Sequence, residues 1–370
     1  MDALLMLLVL AALFVVQGFL LKHFAFSRLE YRRSFSRSAG FEGEEAFLVE
    51  VIRNRKLLPI PWLRAESRLS PNLGFGADAE LTITGERYHK SVFFLGPWSQ
   101  ITRTHTVKLK KRGFYKAGSV AVTAGDLFGV GAAQRQFENS ADIKVYPRLL
   151  DPEEFLPPSS RWQGDLLVKR WIVDDPFLVG GIRPYRFGDS PRDIHWAASA
   201  RAGELQVKVR EHTASPQLLV VLNAQMSEHQ WADLMEYEQQ VIEYGISLAA
   251  SLCVQTLRQG LAAGFAANIP LDKGAEPLIM PPARYAAREE ELLSAMAHLT
   301  ILRTHTFSSL LDKLMAFTGL DIVVLSPYDS ETIQMKLNAL KIRGNSVSVR
   351  LLDKQAAAFA RGESEAAHGA

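Results

Sequence analysis

The stretch "PQLLVVLNA", residues 216–224, decides the fold of this chain. A short apolar run without polar alternation, bounded by Pro216 and Asn223, predicts a strand buried on both faces, as parallel strands are when helices cover the sheet. The pattern extends outward from it. "ELQVKVRE" (204–211) alternates apolar with polar just upstream, and residues 228–260 keep a helical spacing. "LAAGFAANI" (261–269) reads as the next strand, helical patterns follow at 284–298 and 307–317, and "GLDIVVLSP" (319–327) is a second apolar strand. A helix at 329–341 and the strand "NSVSVRLLD" (345–353) complete the run, leaving a flexible tail at 356–370. Strands alternating with helices predict an α/β domain over 183–355, built on a parallel sheet covered on both sides.

Upstream the period is that of strands. "AFLVEVIRN" (46–54), "WLRAESRLS" (62–70), "TRTHTVKLKKRG" (102–113) and "GSVAVTAGD" (118–126) alternate, while "SVFFLGP" (91–97) and "ADIKVYPRLL" (141–150) add shorter apolar runs. Turn residues separate them and no helical period is sustained. Six or seven strands of this kind predict an all-β antiparallel sandwich over 38–150. The proline-rich, polar stretch 151–182 reads as a linker.

The N-terminus carries "ALLMLLVLAALFVVQGFLL" (3–21), nineteen residues without a charge. A helix of that length spans roughly 30 Å of hydrocarbon, so residues 1–22 are expected to be a transmembrane anchor. Lys22, Arg28, Arg32, Arg33 and Arg37 follow, and a basic segment at 23–37 places that side in the cytoplasm. The expectation is a single-pass inner-membrane protein with a cytoplasmic body. A net charge of +2 argues against a nucleic-acid binder. The single cysteine, Cys253, excludes an intrachain disulfide and falls within the long helical pattern as a packing residue.

The most unusual segment is "RPYRFGDSPRDIHWAASAR", residues 183–201. Gly188 permits a turn, Asp189 or Ser190 is placed to cap a helix over 190–202, and Asp189 is placed to accept a forked hydrogen bond from an arginine. Arg183, Tyr185, Gly188, Asp189, Arg192, Ile194, Trp196, Ser199, Ala200 and Arg201, with Arg186 among them, resemble the central signature of the family called domain of unknown function 58. "RGFYKAGSVAVTAGDLFGV" (112–130) and "VYPRLL" (145–150) resemble its upstream signature. The resemblance implies a membrane-anchored protein whose C-terminal half is similar to a von Willebrand factor type A domain. It also implies work with a MoxR-type AAA+ ATPase in assembling or activating client proteins. Members commonly carry two membrane helices, where this chain offers one apolar run. The family implies no established activity.

Type A domains often hold Mg²⁺ through Asp-x-Ser-x-Ser after the first buried strand. The corresponding positions here are Asn223, Gln225 and Ser227, with Ser326 and Asp329 after the later strand. Without the carboxylate, a hard cation loses its only charged ligand, so no metal or cofactor is expected. No Gly-x-Ser-x-Gly, phosphate-binding loop or His-Glu-x-x-His occurs. The leading reading is an interaction or scaffold protein with no nucleic-acid or small-molecule substrate, its partners being the membrane, the ATPase and a client. The arginine-rich segment then acts as a structural latch where the domains meet, as an exposed dock for an acidic partner segment, or as both. The alternatives are a hydrolase built around Asp189 and neighbouring arginines, and an envelope-remodelling component.

Overall fold

The computed structural model describes residues 5–9, 16, 18, 23–68, 70–75, 80–83, 86–125, 132–138, 141–151, 179–186, 194–210, 217–228, 234–271, 276–301 and 305–352. The chain divides into a unit of residues 1–148 with 293–299, and a second unit of 149–292 with 300–370.

The first unit is β-rich. One sheet has the order β1 (Leu29–Phe35), β3 (Glu45–Asn54), β8 (Gln100–Leu109), β5 (Leu73–Phe75). A second runs β11 (Ala132–Phe137), β10 (Val120–Gly125), β4 (Ile60–Arg68), β7 (Glu86–Leu95), β6 (Glu80–Ile83). A third, of β2 (Ala39–Phe41), β12 (Ala141–Tyr146) and β9 (Gly113–Ala117), contains a parallel pair, β2 with β12. The alternation of β3 explains the layering. Ala46, Leu48, Glu50, Ile52 and Asn54 all point inward. Ile52 packs with Leu63, Phe93 and Val122 of the second sheet, whereas Ala46 and Leu48 pack with Tyr115 and Ile143 of the third. The segment Leu293–Leu299 counts with this unit, where Arg112 donates from Nη1 to the carbonyls of Met296 (2.8 Å) and Leu299 (2.9 Å).

A polar seam crosses this core. Tyr31 donates to Glu50 Oε1 at 2.7 Å, Ser91 Oγ donates to Glu50 Oε2 at 2.9 Å, and His105 Nε2 lies 3.1 Å from the same oxygen. Glu50 is 1% exposed. Arg33, buried on the neighbouring strand, donates to Ser67 Oγ (2.7 Å) and to the Gly118 carbonyl (2.9 Å). Burial, then the charge of Glu50, pushes the Tyr31 phenol up, and burial lowers the Arg33 guanidinium.

Two expectations for the N-terminus are corrected here. Among the described residues no helix is long and apolar enough to cross a membrane. Within 3–21 the described helical residues are Leu5–Val9, Val16 and Gly18. The rest of that run lies outside the described residues. The transmembrane part of the expected fold class and the single-pass inner-membrane placement are therefore overturned. Part of the basic segment 23–37 is a strand: β1 pairs along its whole length with β3, with Arg33 turned into the core. Lys56, itself buried, ties down the residues before β1 by donating Nζ to the carbonyls of Phe24 (2.5 Å), Ala25 and Ser27 (3.2 Å).

The second unit holds a hairpin of β13 (Val179–Pro184) and β14 (Gln206–Arg210), with the short helix α1 (Trp196–Ala202) between them in sequence. Its main sheet has the order β17 (Leu278–Ala283), β16 (Ala262–Ala267), β15 (Gln217–Leu222), β18 (Asp321–Ser326), β19 (Ser346–Leu351). Helices α2 (Glu236–Arg258), α3 (Arg288–His298), α4 (Phe307–Leu314) and α5 (Glu331–Ile342) accompany it. The sheet is mixed rather than all-parallel, because β17 runs antiparallel to β16. The connection between them, residues 268–277, is too short for the helical crossover that a parallel neighbour needs. The central strand is as apolar as its sequence: Leu218–Leu222 are all buried. On one side Leu219 and Val221 meet Leu310, Leu314 and Leu337 from α4 and α5. The linker between residues 152 and 178 and the tail 356–370 lie outside the described residues.

Candidate functional site

In open α/β sheets ligands bind beyond the carboxyl ends of the strands, where the strand order reverses. Here that point lies between β15 and β18, and the loops leaving them carry Asn223, Gln225 and Ser326. The side chains there bind one another. Asn223 Nδ2 donates to Ser326 Oγ at 2.9 Å, and Asn223 Oδ1 accepts from the Gln225 amide at 2.9 Å. Ser326 Oγ in turn donates to the Tyr328 carbonyl at 2.5 Å. Gln225 Oε1 accepts from the Phe307 amide at 2.6 Å, at the start of α4, while Thr306 Oγ1 caps the same helix through Ser309. Asn268, at the end of β16, accepts from the Ala224 amide at 2.7 Å and donates to the His305 carbonyl at 3.2 Å. Burial raises the Tyr328 phenol above its usual range.

These donors do not suit a hard cation. Asn223, Gln225 and Ser326 are all buried, and their oxygens already serve backbone or side-chain donors; Ser227 is exposed. Among the described residues no carboxylate is hydrogen-bonded to them. Among the described residues no group of three or more His, Cys, Asp or Glu side chains could hold a metal. Adding millimolar Mg²⁺ or Mn²⁺ is therefore expected to leave the thermal midpoint unchanged. A saturable rise in that midpoint would reveal a cation site, because a ligand that binds only the native state stabilises it.

The arginine-rich segment divides into an inner and an outer set. The described part comprises Arg183, Tyr185, Arg186, Ile194, Trp196, Ser199 and Arg201; Gly188, Asp189 and Arg192 lie outside the described residues, as does Asp126–Gly129 of the upstream signature. The inner set holds the segment against β14. The His195 amide donates to the Gln206 carbonyl (2.8 Å), the Gln206 amide donates to Ser199 Oγ (2.8 Å), and the Tyr185 amide donates to the Leu205 carbonyl (2.8 Å). Ile194 bridges to Val207. His195 Nδ1 accepts from the Ala198 amide at 3.2 Å, so His195 is the N-cap of α1. The expected continuous helix over 190–202 is thus corrected, because the helix that carries Trp196 begins after a β-bridge at Ile194; the expected cap residues Asp189 and Ser190 lie outside the described residues.

The outer set faces water. None of the α1 residues is buried; Trp196 is 68% exposed, and Ala197, Ala200 and Arg201 lie on the same exposed side. Arg186 is exposed, and Arg183 Nη1 turns back to the Pro184 carbonyl at 3.2 Å. The capping role of His195 and the seat offered by Gln206 were not legible in advance. Their one visible signal is the spacing of His195 and Ser199, one helical turn apart.

A nucleophile arrangement does not emerge from the other histidine-bearing cluster. Ser91 Oγ and His105 Nε2 both meet the same oxygen of Glu50 and lie 3.4 Å from each other, deep in the seam. A working triad uses the two imidazole nitrogens for separate partners.

No match was found among curated proteins. Among solved structures, the chain is similar to the CARDB domain of a Pyrococcus furiosus protein, at 14% identity over 32% of this chain and 96% of that one, with a TM-score of 0.21. It is also similar to a non-cellulosomal cohesin from Archaeoglobus fulgidus, at 9% identity over 34% of this chain and 94% of that one, TM-score 0.21. Residues 181–364, which contain the latched segment and the mixed sheet, match a family model, and through them the chain belongs to the family described as protein of unknown function DUF58.

Proposed function

We propose that this chain is a protein-interaction scaffold whose α/β unit docks a partner protein through α1, and that it serves a MoxR-type AAA+ ATPase together with a client. The observation that carries this reading is the division of labour in the signature segment. Its polar side chains are spent inward, His195 on capping α1 and Ser199 on holding the backbone of β14, while its largest side chain, Trp196, is left 68% exposed on a helix that also exposes Arg201. A purely structural latch gains most by burying its tryptophan. An exposed tryptophan on a helix that also exposes an arginine has the composition of an interface anchor. The strand order, with an antiparallel edge strand beside β16, supports the likeness to a type A domain, and the amide-filled switch point supports a metal-free version of it.

Purified protein and ATPase, mixed with ATP and with ADP, are expected to form a complex measurable by calorimetry. Trp196→Ala and Arg201→Glu should each weaken that complex by roughly 10- to 100-fold while leaving the thermal midpoint in place. Unchanged affinity in both variants would move the dock elsewhere. Absence of any complex in either nucleotide would remove the ATPase from the reading.

A further inference from the structure

The two edges of the mixed sheet differ. β17 carries Pro281 and Pro282, which have no amide hydrogen to offer a neighbour. β19 has neither proline nor glycine, and its outer peptide groups are aligned. The Ser346 amide donates inward to the Leu320 carbonyl and the Leu352 amide donates inward to the Ser326 carbonyl, so the even-numbered peptides of β19 serve β18. By the alternation of a parallel ladder, Val347, Val349 and Leu351 turn their N–H and C=O groups outward. Their side chains also share one face. Val347 packs partly against the core beneath α4 and α5, while Val349 and Leu351 are exposed. Ser346, Ser348 and Arg350 take the other face.

We propose that β19 pairs antiparallel with β19 of a second copy of this chain, joining the two five-stranded sheets into one continuous sheet across a two-fold axis at Val349. The sequence is self-complementary in this register. Val349 faces its own counterpart, Val347 faces Leu351, and each of these pairs exchanges both its backbone hydrogen bonds. All three outward peptide groups are then satisfied, whereas a shift of two residues in either direction leaves one unpaired. On the apolar face valine and leucine meet across the axis. On the polar face Arg350 lies opposite Ser348, so no like charges oppose one another. Among the described residues no strand pairs with this edge, and an edge with an apolar row is the kind of surface that monomeric proteins block with proline, lysine or a bulge. The proposal is independent of the α1 dock, which lies on another element.

Sedimentation of the full chain across a concentration series tests this, together with two variants. Val349→Pro removes an outward amide without touching the ladder to β18, so it is expected to keep the thermal midpoint and to weaken self-association by roughly tenfold or more. Val349→Cys places two thiols on residues whose Cα atoms lie about 5.5 Å apart in such a pair, within disulfide range. Mild oxidation should therefore give a covalent dimer, and Ile342→Cys, on the exposed end of α5, should not. The native Cys253 is buried and leaves the readout clean. A chain that stays monomeric at several hundred micromolar would overturn the proposal. So would a dimer that Val349→Pro leaves intact, or a Val349→Cys chain that forms no disulfide dimer.

Discussion

Replacing Glu50 by alanine is expected to destabilise the β-rich unit by about 3–5 kcal/mol, the cost of removing one partner from a buried charge network. Tyr31 and Ser91 would lose the acceptor they share, and Arg33, 4% exposed, would keep its charge in the core without the opposing carboxylate. Glu50→Gln preserves the shape and one acceptor, so it should fall between the alanine variant and the parent. Urea unfolding followed through the tryptophans of this unit, Trp62 and Trp98, measures the difference. A loss below about 1 kcal/mol would mean that water enters the seam and screens it.

The second large effect is expected from Gly264→Ala in β16. A Cβ at this position would lie 2.6 Å from the Met280 carbonyl oxygen and the Pro282 nitrogen, and 2.8 Å from the Pro281 carbonyl carbon. All three are backbone atoms, so relief requires moving β17 as a whole. β17 is also strapped in place: Arg288, buried, donates to the carbonyls of Ala263 (3.3 Å) and Pro281 (2.5 Å) and to Glu291 (2.9 Å). Overpacking of this kind costs about 1–3 kcal/mol and here should reach the upper end. Thermal unfolding of the variant beside Gly203→Ala checks the cause. Gly203 sits at φ +71° with open space around it, so alanine there pays only for the left-handed backbone, about 1–2 kcal/mol.

The elements that were legible in the sequence are those in which one period dominates. β15 and β18 carry unbroken apolar runs, Leu218–Leu222 and Ile322–Leu325, because they lie inside the sheet with neighbours on both edges, and every residue of those runs is buried. α2, with its long run of buried small and apolar residues, was equally plain. β17 was missed because "LIMPPA" carries two prolines, which argue against a strand unless it lies at an edge, and only the tertiary fold makes it one. β1 was hidden by its own arginines. Arg28, Arg32 and Arg33 read as a membrane flank, although Leu29, Tyr31 and Arg33 alternate inward and the last is paid for by Ser67 and Gly118. The three-residue strands β2 and β5 are too short to show any period.

The site was legible in part for the same reason. The positions Asn223 and Gln225 followed from the end of β15. The partners that occupy those amides, Ser326 and the Phe307 amide, are 103 and 82 residues away from Asn223 and Gln225 respectively, and no local pattern announces the pairing. The arginine-rich segment shows a related limit. Its spacing marked it, but which residues turn inward depended on the backbone of β14, a strand that follows it.

The burial of Cys253 gives the molecule an internal clock. This one thiol of the chain is 1% exposed, touches the Gly264 carbonyl, and is pushed up to about 12 by burial. A thiol reagent can reach it only when α2 lifts from the sheet, so its labelling rate counts openings of the α/β unit alone. The β-rich unit has no cysteine and is silent in that measurement. Labelling kinetics therefore separate the breathing of one unit from that of the other in the intact chain, without any engineered probe.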